Sequence, residues 1–464
     1  MLIEGGFIRD CCLTGVLCID GGEIEARGVK VSGKGQLDGV AVCGYRSKGR
    51  LINCTIEDVV KIGVFATEGG CVELTGCTVK HCNELYGVYV KGRDSLATLE
   101  RTTVQCCQEI GVFVSEGGSG VLTDCEVGEI AMYHGVYTKG RGSSTHVKDC
   151  CVHDCQTSCV VVSDSGKCEL SNCDVYSSKR LHGVEVTGDA SRVVAEKCRV
   201  YDCYQASFVA AQGASLTMEQ CEISKTVRLH GITIKGFQTY AKINETKLYD
   251  CARNGLFVYD GGEALITKSE IFNSTECNGC QVKGEGSKLA IHDCKVYNNT
   301  LSAVYCMAGG TLEMMECQVS GSQKFHGVEV QGSGSKAQVA KSRIYNHKQN
   351  AIFANEGAVV DVDDCMIYGS KKLSGASSKG EGSIITIANS KLFGCQQAAI
   401  LASRSGVVKA SHCTCYGCKG PGAWALTDGK VDLAACSVYN NMEPLGSDEG
   451  GVITRDGACK IGDA

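Results

Sequence analysis

Histidine stands immediately before a recurring glycine at His134, His182, His230 and His326, and two of these copies read His-Gly-Val-Glu, at His182 to Glu185 and His326 to Glu329. A base, an acid and nearby cations over a groove are what proton abstraction from a uronic acid sugar requires. The compact group that could supply them joins His182 and Glu185 with Tyr137, Thr233, Lys139 and Lys235. Against this, the histidines follow the repeat of the chain instead of breaking it. His134, His182 and His230 recur in every second copy, which gives no close His–His contact for a metal or a proton relay. The bland alternative is a histidine that fills a corner and hydrogen-bonds to its neighbour. His182, Glu185 and Lys235 are the catalytic candidates, with no cofactor and no metal expected.

The element that must position these residues is a short glycine-headed strand. Gly15, Gly39, Gly63, Gly87, Gly111 and Gly135 are evenly spaced, and the register continues through Cys159, Gly183, Ser207 and onward to Ala399 and Ala423. Each begins a strand such as Gly63-Val64-Phe65-Ala66. Val, Ile or Leu follows the register position directly and points inward, while the residues at plus two and plus four face outward. A second strand (Cys71-Val72-Glu73-Leu74) and a third (Cys77-Thr78-Val79) complete the copy. A period of about 24 residues, made of β-branched runs between Gly, Ser, Asn and Asp, marks a solenoid. The expected fold is all-β, a right-handed single-stranded parallel β-helix of about 19 coils with tight corners of constant length. A single domain over 1–464 is expected, with regular coils at about 10–440, an insertion at 440–450 and a terminal coil at 451–464 beginning at Gly451.

The copies come in two kinds, so the true repeat is a pair of coils, about 48 residues long. One kind carries lysine at plus four (Lys91, Lys139, Lys235, Lys283, Lys379). The other carries an acid at plus five (Asp20, Glu68, Glu116, Asp164, Asp260, Glu356). Stacked alternately, each lysine lies one coil from two carboxylates. The reading is a cross-strand ion-pair ladder that keeps register, with a mixed-charge docking strip for a protein partner as its functional form.

The 33 cysteines fall in files. Cys54, Cys77, Cys125, Cys150, Cys173, Cys198, Cys221, Cys294, Cys317, Cys365 and Cys413 share a position that Thr102, Thr246, Ser269, Ser342 and Ser390 occupy in other coils. A site open to Cys, Thr and Ser is a small inward slot where a free thiol behaves as a small hydrophobe. In-register parallel side chains point the same way and do not readily reach disulfide torsions. Reduced thiols imply a reducing, cytoplasmic location. Cys151-Val152-His153-Asp154-Cys155 and His412 to Cys418 carry metal-ligand residue types, but neither forms a paired CxxC arrangement. Net charge of −6 gives no basic field for nucleic acid, and no stretch is apolar enough to be a membrane span. Bare parallel edges at the two ends lead to the expectation of end-to-end self-association or of flanking domains that cover them.

Gly-Val-x-Val followed by Asn53-Cys54-Thr55-Ile56 or Asn172-Cys173-Asp174-Val175 resembles the parallel β-helix repeats of the pectin-lyase-like superfamily, and the resemblance runs over essentially the whole chain. That superfamily includes polysaccharide lyases, hydrolases and mannuronan epimerases, and also the non-enzymatic intracellular β-helices of F-box receptors and SHC-binding proteins. There is no match to the lyase aspartate cluster, and neither proline (Pro421, Pro444) lies in the epimerase Asp-Pro-His. The cysteine-rich, loop-poor character is similar to the non-enzymatic group. The resemblance therefore implies a rigid scaffold whose side, through Lys91, Lys139, Lys235, Lys283, Glu68, Glu116, Asp164 and Asp260, binds a protein of unknown identity. The alternative is a polysaccharide-binding or uronate-modifying enzyme working from the His182, Glu185 and Lys235 face.

The thiol placement gives the first testable outcome. Alkylation of the native protein, read by mass spectrometry, is expected to leave most thiols unmodified until the chain is unfolded. Extensive native disulfides would overturn the inward-slot reading.

Overall fold

The computed structural model describes residues 1–462. The chain falls into two compact units, Met1–Arg228 and Leu229–Ala464, and each is a right-handed parallel β-solenoid in which every regular element of the described residues is a strand. One coil of the first unit shows the plan. Tyr86–Lys91 lies in a first sheet, Leu96–Glu100 in a second and Thr103–Gln105 in a third, and Ile110–Ser115 returns to the first. The first unit has nine strands in its first sheet and ten in each of the others; the second unit has ten in each.

The inward residues are small and mostly branched, and they are fully buried: Val88 and Val90, Ala97 and Leu99, then Val104 in this coil. A narrow tube packed at crystal-like density leaves room for Val, Ile, Leu, Ala and Cys and for few aromatic rings. The glycine at the strand head answers to the same crowding. A Cβ on Gly87 would lie 2.6 Å from the carbonyl oxygen of Gly111 and 2.4 Å from Val104.

The corners do not keep one length. In the second sheet Cys71 pairs with Leu96, a long step, and Leu96 with Ser119, a short one. The shared Cys, Thr and Ser position just beyond shows the same alternation, with a separation of 23 from Cys54 to Cys77 and of 25 from Cys77 to Thr102. As far as Ile400 the first sheet holds one constant step, as in Val64 to Val88 to Val112. The alternation therefore arises where the chain leaves the first sheet and is cancelled where it returns. The two kinds of copy are the two kinds of corner. The longer one runs Lys91-Gly92-Arg93-Asp94-Ser95, with Gly92 at φ 89°. Its Ser95 hydroxyl donates to the Lys91 carbonyl at 2.7 Å and accepts the Gly69 N–H of the preceding coil at 3.0 Å. The shorter one runs Glu68-Gly69-Gly70, with the acid itself in the left-handed region at φ 54°.

The shared Cys, Thr and Ser position is buried, and it does more than fill space. Its heteroatom accepts a backbone N–H from the coil before. Cys54 N–H donates to Cys77 Sγ at 3.4 Å, Cys77 N–H to Thr102 Oγ1 at 3.4 Å, and Cys365 N–H to Ser390 Oγ at 3.0 Å. The same atom donates onward to a carbonyl, as Cys77 Sγ does to Leu51 at 3.4 Å. All 33 cysteines are free, and 25 of them are buried. Burial pushes some thiols up, that of Cys306 to about 12 and that of Cys365 to about 11, while a hydrogen bond from the thiol of the next coil pushes others down, as Cys77 does to Cys54.

The C-terminal coils correct the sequence reading. Residues 440–450 are no insertion: Glu443–Asp448 is a first-sheet strand pairing with Pro421–Leu426. Gly451 instead precedes the second-sheet strand Val452–Arg455. Ala423 pairs with Ile400, so the register position is Gly422. The coil that starts at Ile400 takes the short form at both variable corners, so its step falls one residue below the regular one, and the next, from Ala423 to Leu445, falls two below it.

Ser342 tests the slot. Its hydroxyl accepts Cys317 N–H at 3.0 Å and donates to the Ala340 carbonyl at 2.7 Å. Ser342→Ala strands a buried N–H and is expected to cost about 1–3 kcal/mol in urea unfolding. Ser342→Cys keeps the acceptor and should lose clearly less. Equal losses would mean that the slot acts through size alone.

Candidate functional site

In the first unit His182 and Glu185 bracket the start of the first-sheet strand Val184–Thr187. His182 belongs to a polar column. Its Nδ1 accepts Ala206 N–H at 3.3 Å, and its own N–H donates to Ser158 Oγ at 3.3 Å. Burial lowers its basicity, with Glu185 partly opposing the shift. Ser158 in turn donates to Glu185 Oε2 at 2.9 Å. Glu185 is flanked in its file by Val161 and Val209. Tyr137 is tied to Ser163 at 3.0 Å between hydroxyls. Lys235 and Thr233 belong to the second unit, where Thr233 is buried and Lys235 Nζ lies over the Tyr259 ring at 5.4 Å. An open hollow of about 820 Å³ in the first unit is lined by Arg93, Asp94, Glu116 and Arg141, apart from His182 and Glu185.

The lysine and acid files meet on one side. Lys91 approaches Glu116 at 3.5 Å and Lys139 approaches Asp164 at 3.7 Å. No ion pair joins Lys91 to Glu68 or Lys139 to Glu116 among the described residues, so each lysine serves one carboxylate where two were expected. Lys235 turns to Tyr259 instead of Asp260, and the coil after Lys283 has Ala308 where an acid would stand. Such exposed pairs contribute about 0–1 kcal/mol each. The Cys151-to-Cys155 string is split by the sheet, with Cys155 buried and Cys151 half-exposed. His153 bonds to Asp154 Oδ2 at 2.9 Å and Glu126 Oε1 at 3.1 Å.

The second His-Gly-Val-Glu copy is built differently around the same column. His326 Nδ1 accepts Asn350 N–H at 3.2 Å, and His326 N–H donates to Ser302 Oγ at 3.3 Å. His326 is buried and held neutral, its pKa lowered to about 3 by desolvation and by His347. Because Ser302 Oγ already accepts an N–H, its proton goes to Glu329 Oε2. Glu329 lies one coil from Tyr305 on one side and from Phe353 on the other. Desolvation at this place raises its pKa, against the opposing Ser302 bond. Tyr305 is pushed up to about 12 by burial and by Glu329 and Glu356; it donates to Gln331 Oε1, and Gln331 Nε2 donates to Glu356 Oε2 at 2.8 Å. One coil before Tyr305, Gln281 accepts from Asn254 Nδ2 at 2.8 Å.

The outward file of this face therefore reads Phe257, Gln281, Tyr305, Glu329, Phe353 on five successive coils. Rings alternate with planar hydrogen-bonding groups. The chemistry available is that of a desolvated carboxyl group flanked by aromatic surfaces, with an amide and a carboxylate network beside it. The sequence carries the signal one full period on either side of Glu329, where Tyr305 and Phe353 stand; the local string around His182 holds nothing that points to it.

Known proteins share this architecture. The family described as right handed beta helix region matches residues 3–144, 134–286 and 230–378. No curated protein sequence matches. Similar solved structures include a mutant of the periplasmic alginate epimerase AlgG, with 10% identity over 65% of this chain and 78% of that one and a TM-score of 0.46. They also include the A-module of the Azotobacter vinelandii mannuronan C-5 epimerase AlgE4 (13% identity, 69% and 86% covered, TM-score 0.36) and pectate lyase Pel9A (13%, 80% and 70%, 0.28).

Glu329 should titrate above the ordinary glutamate value of 4.5 when followed by carbon-detected NMR. Phe353→Ala, which opens one side to water, should bring it back toward that value. A raised acid is favoured protonated in the folded state, so its contribution to stability is whole below the unfolded pKa and is lost as pH rises through the folded one. A Glu329 signal that titrates at the ordinary value would remove the acid from the site.

Proposed function

We propose that this chain, which belongs to the right-handed β-helix family and through it to the pectin-lyase-like superfamily, binds an extended polysaccharide along the first sheet of its second unit. The observation that carries the reading is the alternating file Phe257, Gln281, Tyr305, Glu329, Phe353. Sugar rings present apolar C–H faces and hydroxyl edges in turn, and an alternation of aromatic rings with amide and carboxyl groups meets both. Parallel strands repeat every ~4.8 Å, a step of the order of one sugar residue, so successive coils can meet successive sugars. Glu329, its pKa raised by desolvation, presents a carboxyl group to sugar hydroxyls, and Gln281 and Gln331 offer amides to its neighbours.

The reading is one of binding more than turnover. Proton abstraction needs a free base, and His326 Nδ1 is occupied by Asn350 N–H at 3.2 Å. A second reading, a scaffold that binds a protein, is favoured by the first unit. There Phe65, Tyr89, Phe113 and Tyr137 stack at 4.9–5.2 Å along the first sheet, beside Lys91 and Lys139. Their faces are turned to one another, which leaves ring edges for a partner's apolar side chains and few faces for sugars.

Calorimetric titration with short oligomers of galacturonate, mannuronate and glucose discriminates the two. At least one oligomer is expected to bind, with Tyr305→Ala and Glu329→Gln each weakening it about tenfold, a loss near 1.4 kcal/mol. Tyr89→Ala in the first unit should leave binding unchanged. The reading fails if none of the three binds or if the second-unit variants bind as tightly as the parent.

A further inference from the structure

The third sheet of the second unit carries an aromatic ladder with one rung missing. Tyr345, Tyr368, Phe393, Tyr416 and Tyr439 stack face to face at 4.8–5.5 Å with planes within 10°. Tyr249, Phe272 and Tyr297 form a second run at 4.8–5.1 Å and within 6°. Tyr297, Ser320 and Tyr345 are consecutive in one outward file, so the two runs are interrupted by a single serine. Among the described residues Tyr297 stacks only on Phe272, and Tyr345 only on Tyr368. The face that each turns toward Ser320 has no ring against it.

The gap spans two strand steps, or ~9.6 Å between ring positions. A planar ring placed over Ser320 would have neighbours about 5 Å away on each side, the spacing the ladder itself uses and an ordinary one for offset stacking. Charge around the gap is uneven. Lys295 is neutralised by Glu270 at 2.9 Å, and Tyr297 points its hydroxyl at the same Glu270 at 3.4 Å. Arg343, exposed beside Tyr345, has no carboxylate partner among the described residues. Gln318 adds an exposed amide on the strand of Ser320.

We infer that the Tyr297–Ser320–Tyr345 gap is a binding slot for one planar aromatic ring bearing an anionic substituent, the ring sandwiched by the two tyrosines and the anion held by Arg343. The slot lies on a different sheet from the Glu329 file, so it stands or falls independently of the polysaccharide reading.

The probe is phenyl phosphate at millimolar concentration, followed by saturation-transfer NMR and thermal melting of the full chain. Cyclohexyl phosphate, whose ring is not planar, and inorganic phosphate separate stacking from charge. Phenyl phosphate is expected to bind at least about tenfold more tightly than either, and Arg343→Gln to weaken it by a similar factor. Ser320→Tyr supplies the missing rung from the chain itself; it should raise the melting temperature and abolish phenyl phosphate binding. A lowered melting temperature would show that the gap does not accept a ring. Unchanged binding in Ser320→Tyr, equal binding of the cyclohexyl compound, or no binding of phenyl phosphate to the parent chain would each overturn the slot. An aromatic-acid peptide such as a phosphotyrosine peptide then tells a macromolecular source of the ring from a free one.

Discussion

Each coil turns through corners where a backbone N–H can find no partner in a sheet, and the fold depends on meeting that need from the side. The solution is a heteroatom supplied by an adjacent coil, the next one in the cysteine file and the preceding one in the file before the register position. In the cysteine file it is a thiol or hydroxyl, as in Cys317 N–H to Ser342 Oγ. In the file before the register position it is an imidazole nitrogen, an amide oxygen or a serine hydroxyl. In the second unit that column runs through His230, Asn254, Asn278, Ser302, His326, Asn350 and Ser374 without a break. Unpaired buried backbone groups are costly and therefore rare. A narrow solenoid with many corners has many of them to satisfy.

That constraint explains why residues with catalytic reputations recur here. His326 and His230 are interchangeable with Asn and Ser because the column asks only for an acceptor, and burial then lowers their pKa values to about 3 and about 4. Histidine so employed is neutral and occupied. The donor half of the same residues reaches outward, and this is where chemistry enters. Ser302 donates a hydrogen bond to Glu329, Ser158 to Glu185, and the Asn254 amide to Gln281. The two glutamates share a motif and a hydrogen bond, but only Glu329 lies between two aromatic rings, where desolvation raises its pKa. Neighbours one coil away, not the local string, set the character of the acid.

The constant step of the first sheet makes the fold legible in the sequence, together with the inward Val, Ile and Leu that follow each register glycine. The Cys/Thr/Ser alternation places the thiols inside. Their hydrogen-bonding part is less visible, although an S–H or O–H is what those three residues share besides small size. The aromatic ladder of the third sheet is hidden because its steps are uneven. Tyr368 to Phe393 is a longer step than Tyr345 to Tyr368 or Phe393 to Tyr416, so a fixed period breaks the ladder up. The Glu329 file of the second unit keeps the same even step as the register glycines. It is obscured by the fact that its members are of unlike kinds: ring, amide, phenol, acid, ring.

The unequal corners carry a consequence for how such a chain can grow. Long and short second-sheet steps alternate against a steady step in the first, so neighbouring coils are complementary halves and not copies. Loss or gain of a single coil would set two long or two short corners side by side, as the short corners after Ile400 and Ala423 already stand, with Val408 and Val431 both still inward. A surface feature written once per pair of coils, such as the lysine at Lys91 and Lys139, keeps its alternation only when the molecule lengthens by whole pairs.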